Sequence, residues 1–512
     1  MSQVGYAGFL ALISVLATIL ILYFFCPHFA SWRELKLVDD PDFPLSPTTQ
    51  RAADTLDQLK HPFAPTPQRY PDCNRVITWR ILFPVIWHYL SLPVWLLLLM
   101  PYLGCLLTLG SATHIVYQRT RSRRWAFYAA ALTGASPWFF VSTGWLAYFD
   151  SWLMMGLLTL AFARSRVALT IACLCVPWID ERLLTAVPLC ITIRAVEIAI
   201  QDRDRAKGLI RDSLAILVPC MVYPFLRLLL ASGGIGGVET AEYVHYHLSW
   251  TRLTSVSLLR YVDGLWSALR AGWFFVVALL WLLWVAGRRL LCCVLTACLV
   301  CSIMVWLVIA IDLSRSLGML ALVSLTGILY MARQKPGLLR TALPVVATAN
   351  LLLPATHVLT IYRIPILYVY SEVFNWQHPS PYLDPNSYTE QGVECLRRGQ
   401  SAEGRSNLDR ALKLDGESGP AYLARSTARL QTGDIRGAMA DAEQAIRYGP
   451  QDVEAYYIRA LARLASRNPV GAASDLRHAL QLAPPDWPRH REVQEMLARV
   501  GQSSPKAPPN PR

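Results

Sequence analysis

The sequence predicts an all-α protein, in which a polytopic transmembrane helical bundle precedes a C-terminal α-solenoid. Of the 512 residues, 54% are hydrophobic and only 16% are charged. Long apolar runs recur over residues 1–362, and a repeat of 34 residues occupies much of the remaining chain. A spanning helix needs about 20 mostly apolar residues, and the tetratricopeptide period is about 34 residues. These observations together predict the two parts.

The apolar runs predict about eleven membrane spans. Their approximate bounds are 5–25, 81–116, 125–143, 146–163, 167–178, 183–200, 209–231, 270–287, 290–311, 316–332 and 341–362. The run 81–116 is long and is interrupted by Pro93 and Pro101. The first run has no basic region before it and no small-residue cleavage site after it, so we interpret it as an uncleaved helix.

The distribution of basic residues predicts the orientation of these spans. Lysine and arginine crowd the connections 119–124, 203–211, 288–289 and 333–340, and short loops of this kind are enriched on the cytoplasmic side. We therefore predict a cytoplasmic N-terminus and, after an odd number of spans, C-terminal repeats on the outer face. The net charge of +13 is scattered through these connections, so no nucleic-acid partner is predicted.

The C-terminal region repeats itself with small residues at fixed positions. Tyr422, Ala438, Ala445 and Pro450 recur as Tyr456, Ala472, Ala479 and Pro484. Small residues let paired helices approach closely, and proline ends the second helix of a pair. A weaker preceding copy contains Gly392, Gly404, Leu408 and Ala411, and segment 487–500 is a candidate capping helix.

This pattern predicts four segments along the chain. They are a transmembrane module at 1–362, a linker at 363–384, a tetratricopeptide-repeat domain at 385–502 and a disordered tail at 503–512.

Acidic residues near the spans fall on one predicted side of the membrane. They are Asp39, Asp40, Asp150, Glu181 and Asp312. An ionisable group at bilayer depth costs about 2.5 to 3.5 kcal/mol, so each is a candidate functional residue. Simpler roles remain open, because Asp150 and Asp312 could cap helices and the other acids could lie in solvated loops or turns.

Arginines on the same predicted side are candidate phosphate ligands. Arg80 begins the second span, Arg182 follows Glu181, and Arg315 follows Asp312 after two residues. The planar guanidinium matches the geometry of a phosphate group. Interfacial anchoring of Arg80 is the alternative interpretation.

The connection 232–269 carries glycines together with Glu242, His245 and His247. Two histidines two positions apart form a weak metal pattern, and no metal site is predicted. We expect instead a loop that closes over substrate, with its glycines as hinges.

The order of these motifs over residues 1–362 resembles the C-type superfamily of polytopic membrane glycosyltransferases. The motifs are the acidic pair Asp39-Asp40, the entry Arg80–Pro84, the turn Tyr148–Asp150, the Asp180-Glu181-Arg182 hairpin and the turn Asp312–Arg315. The resemblance implies a sugar donor linked to polyprenyl phosphate, inverting displacement on the outer face, and no cofactor. It implies Asp39 or Asp40 as the catalytic base.

The same resemblance implies substrate-binding roles for the other motif residues. Arg315 and Arg182, followed by Arg80, would meet the lipid phosphate beside Asp150, Glu181 and Asp312. The domain order also resembles, in architecture only, that of eukaryotic O-mannosyltransferases with outer tetratricopeptide repeats. If the protein is such an enzyme, we expect the repeats to bind a protein or glycan acceptor. Two alternatives stay open: a non-catalytic membrane scaffold whose repeats recruit a protein, and a transporter of lipid-linked glycans.

Overall fold

The protein is described from a computed structural model. The structure describes residues 3–25, 47–63, 79–201, 206–232, 256–310, 312–360, 363–366, 385–484 and 487–503. The chain divides into two compact units. The larger unit contains most of the described residues before 359, and the smaller contains the described residues from 385 onward with 256–260, 359–360 and 363–364. The all-α prediction is confirmed.

Helices of varied length make up the part of the chain before residue 355 that the structure describes. They are α1 (Gln3–Phe24), α2 (Pro47–Lys60), α3 (Leu82–Leu90), α4 (Val94–Thr120), α5 (Arg123–Gly134), α6 (Pro137–Gly144), α7 (Asp150–Phe162), α8 (Arg166–Cys175), α9 (Arg182–Gln201), α10 (Ala206–Cys220), α11 (Val222–Ser232), α12 (Leu258–Leu269), α13 (Trp273–Val285), α14 (Arg289–Ile309), α15 (Leu313–Leu317), α16 (Ala321–Gln334) and α17 (Pro336–Leu352). Strands β1 (Ala355–Val358) and β2 (Arg363–Ile366) follow.

Within the described residues, six helical segments are long and apolar enough to cross a membrane, compared with the eleven expected. They are Gly5–Phe24, Val94–Thr120, Gly208–Leu230, Leu258–Val285, Arg289–Val308 and Leu313–Gln334. These helices are compatible with a membrane protein. The expected count of about eleven stays a prediction, and several of the apolar runs contain breaks that a hydropathy pattern passes over.

Two of these breaks occur between α5 and α7. The expected span 125–143 consists of two helices, α5 and α6, and α6 begins at Pro137. The helix breaks there because proline is tolerated in the first turn of a helix but disrupts a helix interior. The expected span 146–163 becomes helical only at Asp150, and the 13 residues of α7 extend for about 20 Å, less than the ~30 Å hydrocarbon core of a bilayer.

Segment Leu313–Gln334 lies at the centre of the larger unit, since 94% of its apolar window is buried. Its α16 packs on α13 through Gly327, where an added Cβ would lie 2.1 Å from the carbonyl oxygen of Phe275. Only glycine permits this close approach of two helix backbones. The central position of this segment brings Arg315, near its start, close to several other helix ends.

The smaller unit consists mainly of helix pairs that recur every 34 residues. The helices are α18 (Pro385–Arg397), α19 (Ser401–Leu414), α20 (Gly419–Gln431), α21 (Ile435–Tyr448), α22 (Val453–Ala465), α23 (Pro469–Leu482) and α24 (His490–Ser503). Helices α20 and α22 begin 34 residues apart, as do α21 and α23. The tetratricopeptide arrangement is confirmed, and its weaker first copy forms the pair α18 and α19.

Small buried residues hold each pair together as predicted. Ala438 and Ala472 are fully buried at equivalent positions of two repeats. In the first pair, a Cβ added to Gly392 would lie 3.0 Å from the carbonyl oxygen of Gly404. The predicted terminal helix is present as α24, whose Val493 is fully buried against the last pair.

Candidate functional site

Arg80 and Glu181 form a bidentate ion pair in the larger unit. Nε and Nη2 of Arg80 donate to the two carboxylate oxygens of Glu181 at 3.1 and 2.8 Å. The third guanidinium nitrogen, Nη1, lies 3.6 Å from Oδ2 of Asp180. Arg80 directly precedes the first turn of α3, whereas Glu181 lies in the turn before α9. The pair therefore joins two helix starts.

Arg182 connects the same turn to the start of α7. Its Nε and Nη2 donate to Asp180 at 2.9 and 2.6 Å, and Nη2 also donates to Oδ1 of Asp150 at 2.5 Å. Nη1 donates to the hydroxyl of Ser316 at 3.3 Å. Asp150 and Asp180 are each only 2% exposed, so these carboxylates depend on the arginine for charge balance.

Arg315 is the second arginine bound to Asp150. Its Nε donates to Oδ1 of Asp150 at 2.6 Å, and its Nη1 donates to Asp312 at 2.6 Å. Asp312 also lies 3.5 Å from Nε2 of His357, a residue of β1. Asp312 occupies the N-cap position of α15 but makes no capping hydrogen bond. The carboxylate of Asp312 is directed to the ion-pair network instead.

We call these residues and their buried neighbours the polar cluster. The cluster consists of Arg51, Arg80, Tyr148, Asp150, Asp180, Glu181, Arg182, Asp312, Arg315 and His357. Four arginines and four carboxylates balance in formal charge. Such a set of buried charges is costly unless each charge is paired, and in a membrane-type fold it is a functional-site candidate.

Four buried atoms of the polar cluster have no hydrogen-bond partner among the residues that the structure describes. They are Nη1 of Arg80, Nη2 of Arg315, Nε2 of His357 and Oδ2 of Asp150. An unsatisfied buried polar group costs about 1 to 3 kcal/mol, more when charged, and calls for an explanation such as a ligand. The two guanidinium nitrogens are donors that an anion could satisfy.

Arg51 enters the polar cluster from α2. Its guanidinium lies 4.1 Å from the ring centroid of Tyr148, and the guanidinium of Arg315 lies 4.8 Å from the same centroid. Among the described residues, no carboxylate lies within ion-pair distance of Arg51. Burial, and next the positive charge of Arg80, lower the pKa of Arg51 to about 10. Within the described part of the chain, Arg51 is therefore a cation without a paired anion.

The backbone beside Tyr148 is strained. Ala147 has a φ of 59°, in the left-handed region, which costs a non-glycine residue about 1 to 2 kcal/mol. Nε of Arg51 donates to the carbonyl oxygen of Ala147 at 3.2 Å. The buried side chains of Leu146 and Phe149 belong to an apolar cluster with Phe83 of α3. These contacts maintain the turn that positions Tyr148 and Asp150.

Asp180 and Asp312, two carboxyl groups of the polar cluster, have shifted pKa values. Burial by itself raises the pKa of Asp180, but the charges of Arg182 and Arg80 hold that pKa well below its ordinary value. Burial likewise raises the pKa of Asp312. The contact with His357 and the charge of Arg315 outweigh burial, so the pKa of Asp312 is also well below its ordinary value. Both groups are anionic at neutral pH.

The structure brings together all six residues that the sequence suggested as substrate-binding. Arg80, Asp150, Glu181, Arg182, Asp312 and Arg315 belong to the one polar cluster. Neither Asp150 nor Asp312 uses its carboxylate as a helix cap, so that alternative is not needed. Their role toward a substrate stays a prediction.

Sequence reasoning missed four members of the polar cluster as site residues. Asp180 and Tyr148 lie close to predicted site residues, but the sequence does not single them out as binding residues. His357 falls inside the expected span 341–362, whose helix ends at Leu352. Arg51 lies in a segment expected to be loop, although Pro47–Lys60 has an amphipathic composition with a basic last turn. That composition is the signal that could have identified α2.

The predicted catalytic residues Asp39 and Asp40 lie outside the described residues, as do Glu242, His245 and His247. Within the described ranges, no group of three or more His, Cys, Asp or Glu side chains is arranged to hold a metal ion.

No protein-family model matches the chain, and no curated protein matches it. Among solved structures, the Arabidopsis OM64 TPR domain is similar to part of this chain, with 25% sequence identity and a TM-score of 0.22. The match covers 23% of this chain and 96% of that chain.

Fold and site together define an all-α protein of two units. One unit carries apolar helices that are long enough to span a membrane and a buried cluster of paired charges. The other is built from tetratricopeptide-type helix pairs.

Proposed function

We propose that the protein is a membrane glycosyltransferase that takes a sugar from a polyprenyl-phosphate donor. The observation that carries the proposal is the polar cluster, where Nη1 of Arg80 and Nη2 of Arg315 are buried without a hydrogen-bond partner among the described residues and lie 3.6 and 3.8 Å from Asp180. Arginine binds phosphate through such planar donors. A lipid phosphate is the form of phosphate that reaches a site among apolar helices by lateral movement in the bilayer.

The proposed orientation places the polar cluster and the repeats on the outer face, with the N-terminus in the cytoplasm. Asp150 begins α7 beside Pro101, since the hydroxyl of Ser151 donates to the carbonyl oxygen of Pro101 at 2.8 Å. Pro101 lies in the second turn of α4, whose other end leads into the arginines at 121–124. Arginine-rich connections favour the cytoplasmic side, so the opposite helix ends would be outside.

The proposed reaction is a direct displacement at the anomeric carbon of the sugar. Asp39 or Asp40 accepts the proton of an acceptor hydroxyl, whose oxygen forms the new glycosidic bond. The bond from that carbon to the phosphate oxygen breaks, and its electron pair leaves with the polyprenyl phosphate. Arg315, Arg182 and Arg80 stabilise the negative charge that develops on this phosphate.

The carboxylates of the polar cluster would position these arginines. Asp150 binds Arg182 and Arg315 at once, while Asp180 binds Arg182 and lies near Arg80. Donors that are already oriented need no reorganisation when charge develops, which is the basis of electrostatic catalysis. The repeats would bind a protein or glycan acceptor.

The test uses the full-length protein in nanodiscs with a polyprenyl-phosphate-linked hexose and a panel of peptide and oligosaccharide acceptors. Release of polyprenyl phosphate and formation of glycosylated acceptor are measured. We expect the double variant Asp39→Asn, Asp40→Asn to lose transfer while still binding donor. Unchanged transfer would remove both residues from the base assignment.

A second variant examines phosphate recognition. Arg315→Lys keeps the charge but loses the planar fork, so we expect donor binding to weaken by about tenfold, as for a lost charge-assisted hydrogen bond. The matched control is Arg340→Lys, at an exposed residue of α17. Equal donor binding by both variants would contradict the proposed phosphate site.

The helix pairs of the smaller unit favour a non-catalytic scaffold as the second candidate, because repeat arrays present extended binding surfaces. A scaffold would retain its cellular role with both Asp39 and Asp40 replaced. A transporter would move the donor lipid across the membrane without forming glycosylated product. The transfer assay therefore separates the transferase from both alternatives, and a measurement of donor-lipid movement across the membrane separates the transporter from the scaffold.

A further inference from the structure

A large apolar groove lies between α1, α4 and α7, away from the polar cluster. It has a volume of about 880 Å³, within the range of about 300 to 1,000 Å³ typical of ligand sites. Its walls include Leu10 and Val15 of α1, Leu106 and Leu107 of α4, and Leu158 of α7. None of its lining residues belongs to the polar cluster.

The polarity of the groove changes in one direction along the helices that line it. On α4 the lining residues change from Leu106 at the apolar end to Arg119 at the polar end. On α7 they change from Leu158 to Arg164, which follows the end of α7. The 14 residues from Leu106 to Arg119 extend for about 20 Å, roughly half a bilayer with its headgroup layer. A lipid has the same gradient from tail to headgroup.

At the polar end, hydrogen-bonding side chains replace the leucines. The hydroxyl of Tyr6 lies 2.8 Å from Nδ1 of His114 and accepts from Nε2 of Gln118 at 3.4 Å. His114 and Gln118 line the groove one turn apart on α4. They provide polar contacts where the carbonyl and phosphate groups of a lipid would lie.

A smaller cavity of about 220 Å³ adjoins this polar end and shares Arg119 and Arg164 with the groove. It adds Arg194, Glu197 and Asp212. Arg119 pairs with Glu197 at 3.1 Å and Arg194 with Asp212 at 2.5 Å, whereas no described residue forms an ion pair with the exposed Arg164. Among the described residues that line the smaller cavity, three arginines against two carboxylates leave one positive charge.

We infer that the groove binds one anionic phospholipid of the surrounding membrane, with an acyl chain between α1, α4 and α7 and the phosphate beside Arg164. The excess positive charge selects an anionic over a zwitterionic headgroup, because one arginine near a headgroup contributes about 1 kcal/mol, or about a fivefold change in affinity. This inference does not depend on the proposed transfer reaction, since the groove shares no residue with the polar cluster.

The experiment is native mass spectrometry of the delipidated full-length protein. The protein is titrated with phosphatidylglycerol, with phosphatidylcholine of the same acyl chains, and with polyprenyl phosphate. We expect one phosphatidylglycerol to bind about fivefold more tightly than phosphatidylcholine. Equal retention of the two phospholipids, or displacement of phosphatidylglycerol by a lower concentration of polyprenyl phosphate, would overturn the assigned occupant.

Two variant pairs locate the site. Ala11→Trp places a large ring in the groove, and Leu12→Trp places the same ring at a neighbouring position of α1 that is 57% exposed and outside the lining. We expect only Ala11→Trp to lose the bound lipid. Retention of the lipid by both folded variants would place it elsewhere.

The second pair removes one charge at an exposed position, where the fold is not at risk. Arg164→Gln should weaken phosphatidylglycerol binding by about fivefold and phosphatidylcholine binding by less, because the choline cation offsets the charge of the phosphate. Arg340→Gln, also at an exposed arginine, should alter neither. If Ala11→Trp does not fold, this second pair tests the site without it. Equal binding of phosphatidylglycerol by Arg164→Gln and Arg340→Gln would refute the inference.

Discussion

Arg182 donates a hydrogen bond of 2.5 Å to Asp150, although the two residues are 32 positions apart in the chain. The same carboxylate oxygen accepts from Arg315 at 2.6 Å. Two guanidinium groups repel each other unless an anion lies between them. Asp150 is therefore the residue that permits Arg182 and Arg315 to lie together, and its role in the polar cluster can be tested directly.

The first prediction concerns loss of this shared anion. Asp150→Asn leaves two buried arginines without their common partner, so we expect the free energy of unfolding to fall by about 3 to 5 kcal/mol. Reversible unfolding in mixed detergent micelles, followed by tryptophan fluorescence, measures the change. Glu495→Gln, at a half-exposed acid of α24, is the control, and an equally small effect of both changes would refute the role assigned to Asp150.

The second prediction concerns the bidentate pair between Arg80 and Glu181. A double-mutant cycle with Arg80→Gln and Glu181→Gln should give a coupling free energy of about 1 to 3 kcal/mol, as for residues in one ion-pair network. The same unfolding assay supplies the four values. Additive effects of the two changes would show that the pair does not form in the folded protein.

The third prediction concerns pH. The pKa of Asp312 is lower in the folded protein than the ordinary value, so unfolding takes up protons in acid. The contribution of Asp312 to stability is therefore complete above about pH 5 and is lost as the pH falls toward the folded pKa. Asp312→Asn should reduce the loss of stability between about pH 5 and pH 2. An unchanged pH profile would contradict the shift.

The fourth prediction concerns equivalent aspartates of two repeats. Asp441 accepts from Arg425 at 2.8 Å and pairs with Arg429 at 2.8 Å, and Asp475 pairs with Arg459 and Arg463 at 2.7 and 2.8 Å. Because both aspartates are buried, Asp475→Asn leaves two arginines less well paired and should cost about 2 to 4 kcal/mol of local stability.

Hydrogen exchange of the full-length protein measures this cost as faster exchange of amides in α22 and α23. Asp441→Asn should have the same effect on α20 and α21. Asp409→Asn changes a side chain that is 62% exposed and should alter exchange little. If Asp409→Asn and Asp475→Asn gave equal exchange rates, the buried pairs would not be stabilising the repeats.

Local signals explain which parts of the site could be predicted. Glu181, Arg182, Asp312 and Arg315 are charged residues in short connections between apolar runs, and such a position is visible in the chain itself. His357 was hidden because Pro354 and the strand after it interrupt an apolar run that reads as one helix. Arg51 was hidden because its partner Tyr148 is 97 positions away.

The all-α class, the apolar composition of the first part and the 34-residue register of the repeats can all be predicted from the amino-acid sequence. These properties follow from periodicity and composition over short stretches, which do not depend on the rest of the fold. The number of apolar runs that form long helices depends on tertiary packing, since helix ends depend on turns such as the one before Pro137. The tertiary structure alone joined Asp150 to Arg182 and to Arg315, 165 positions away, because ion pairing over such separations requires packing that brings distant helix ends together.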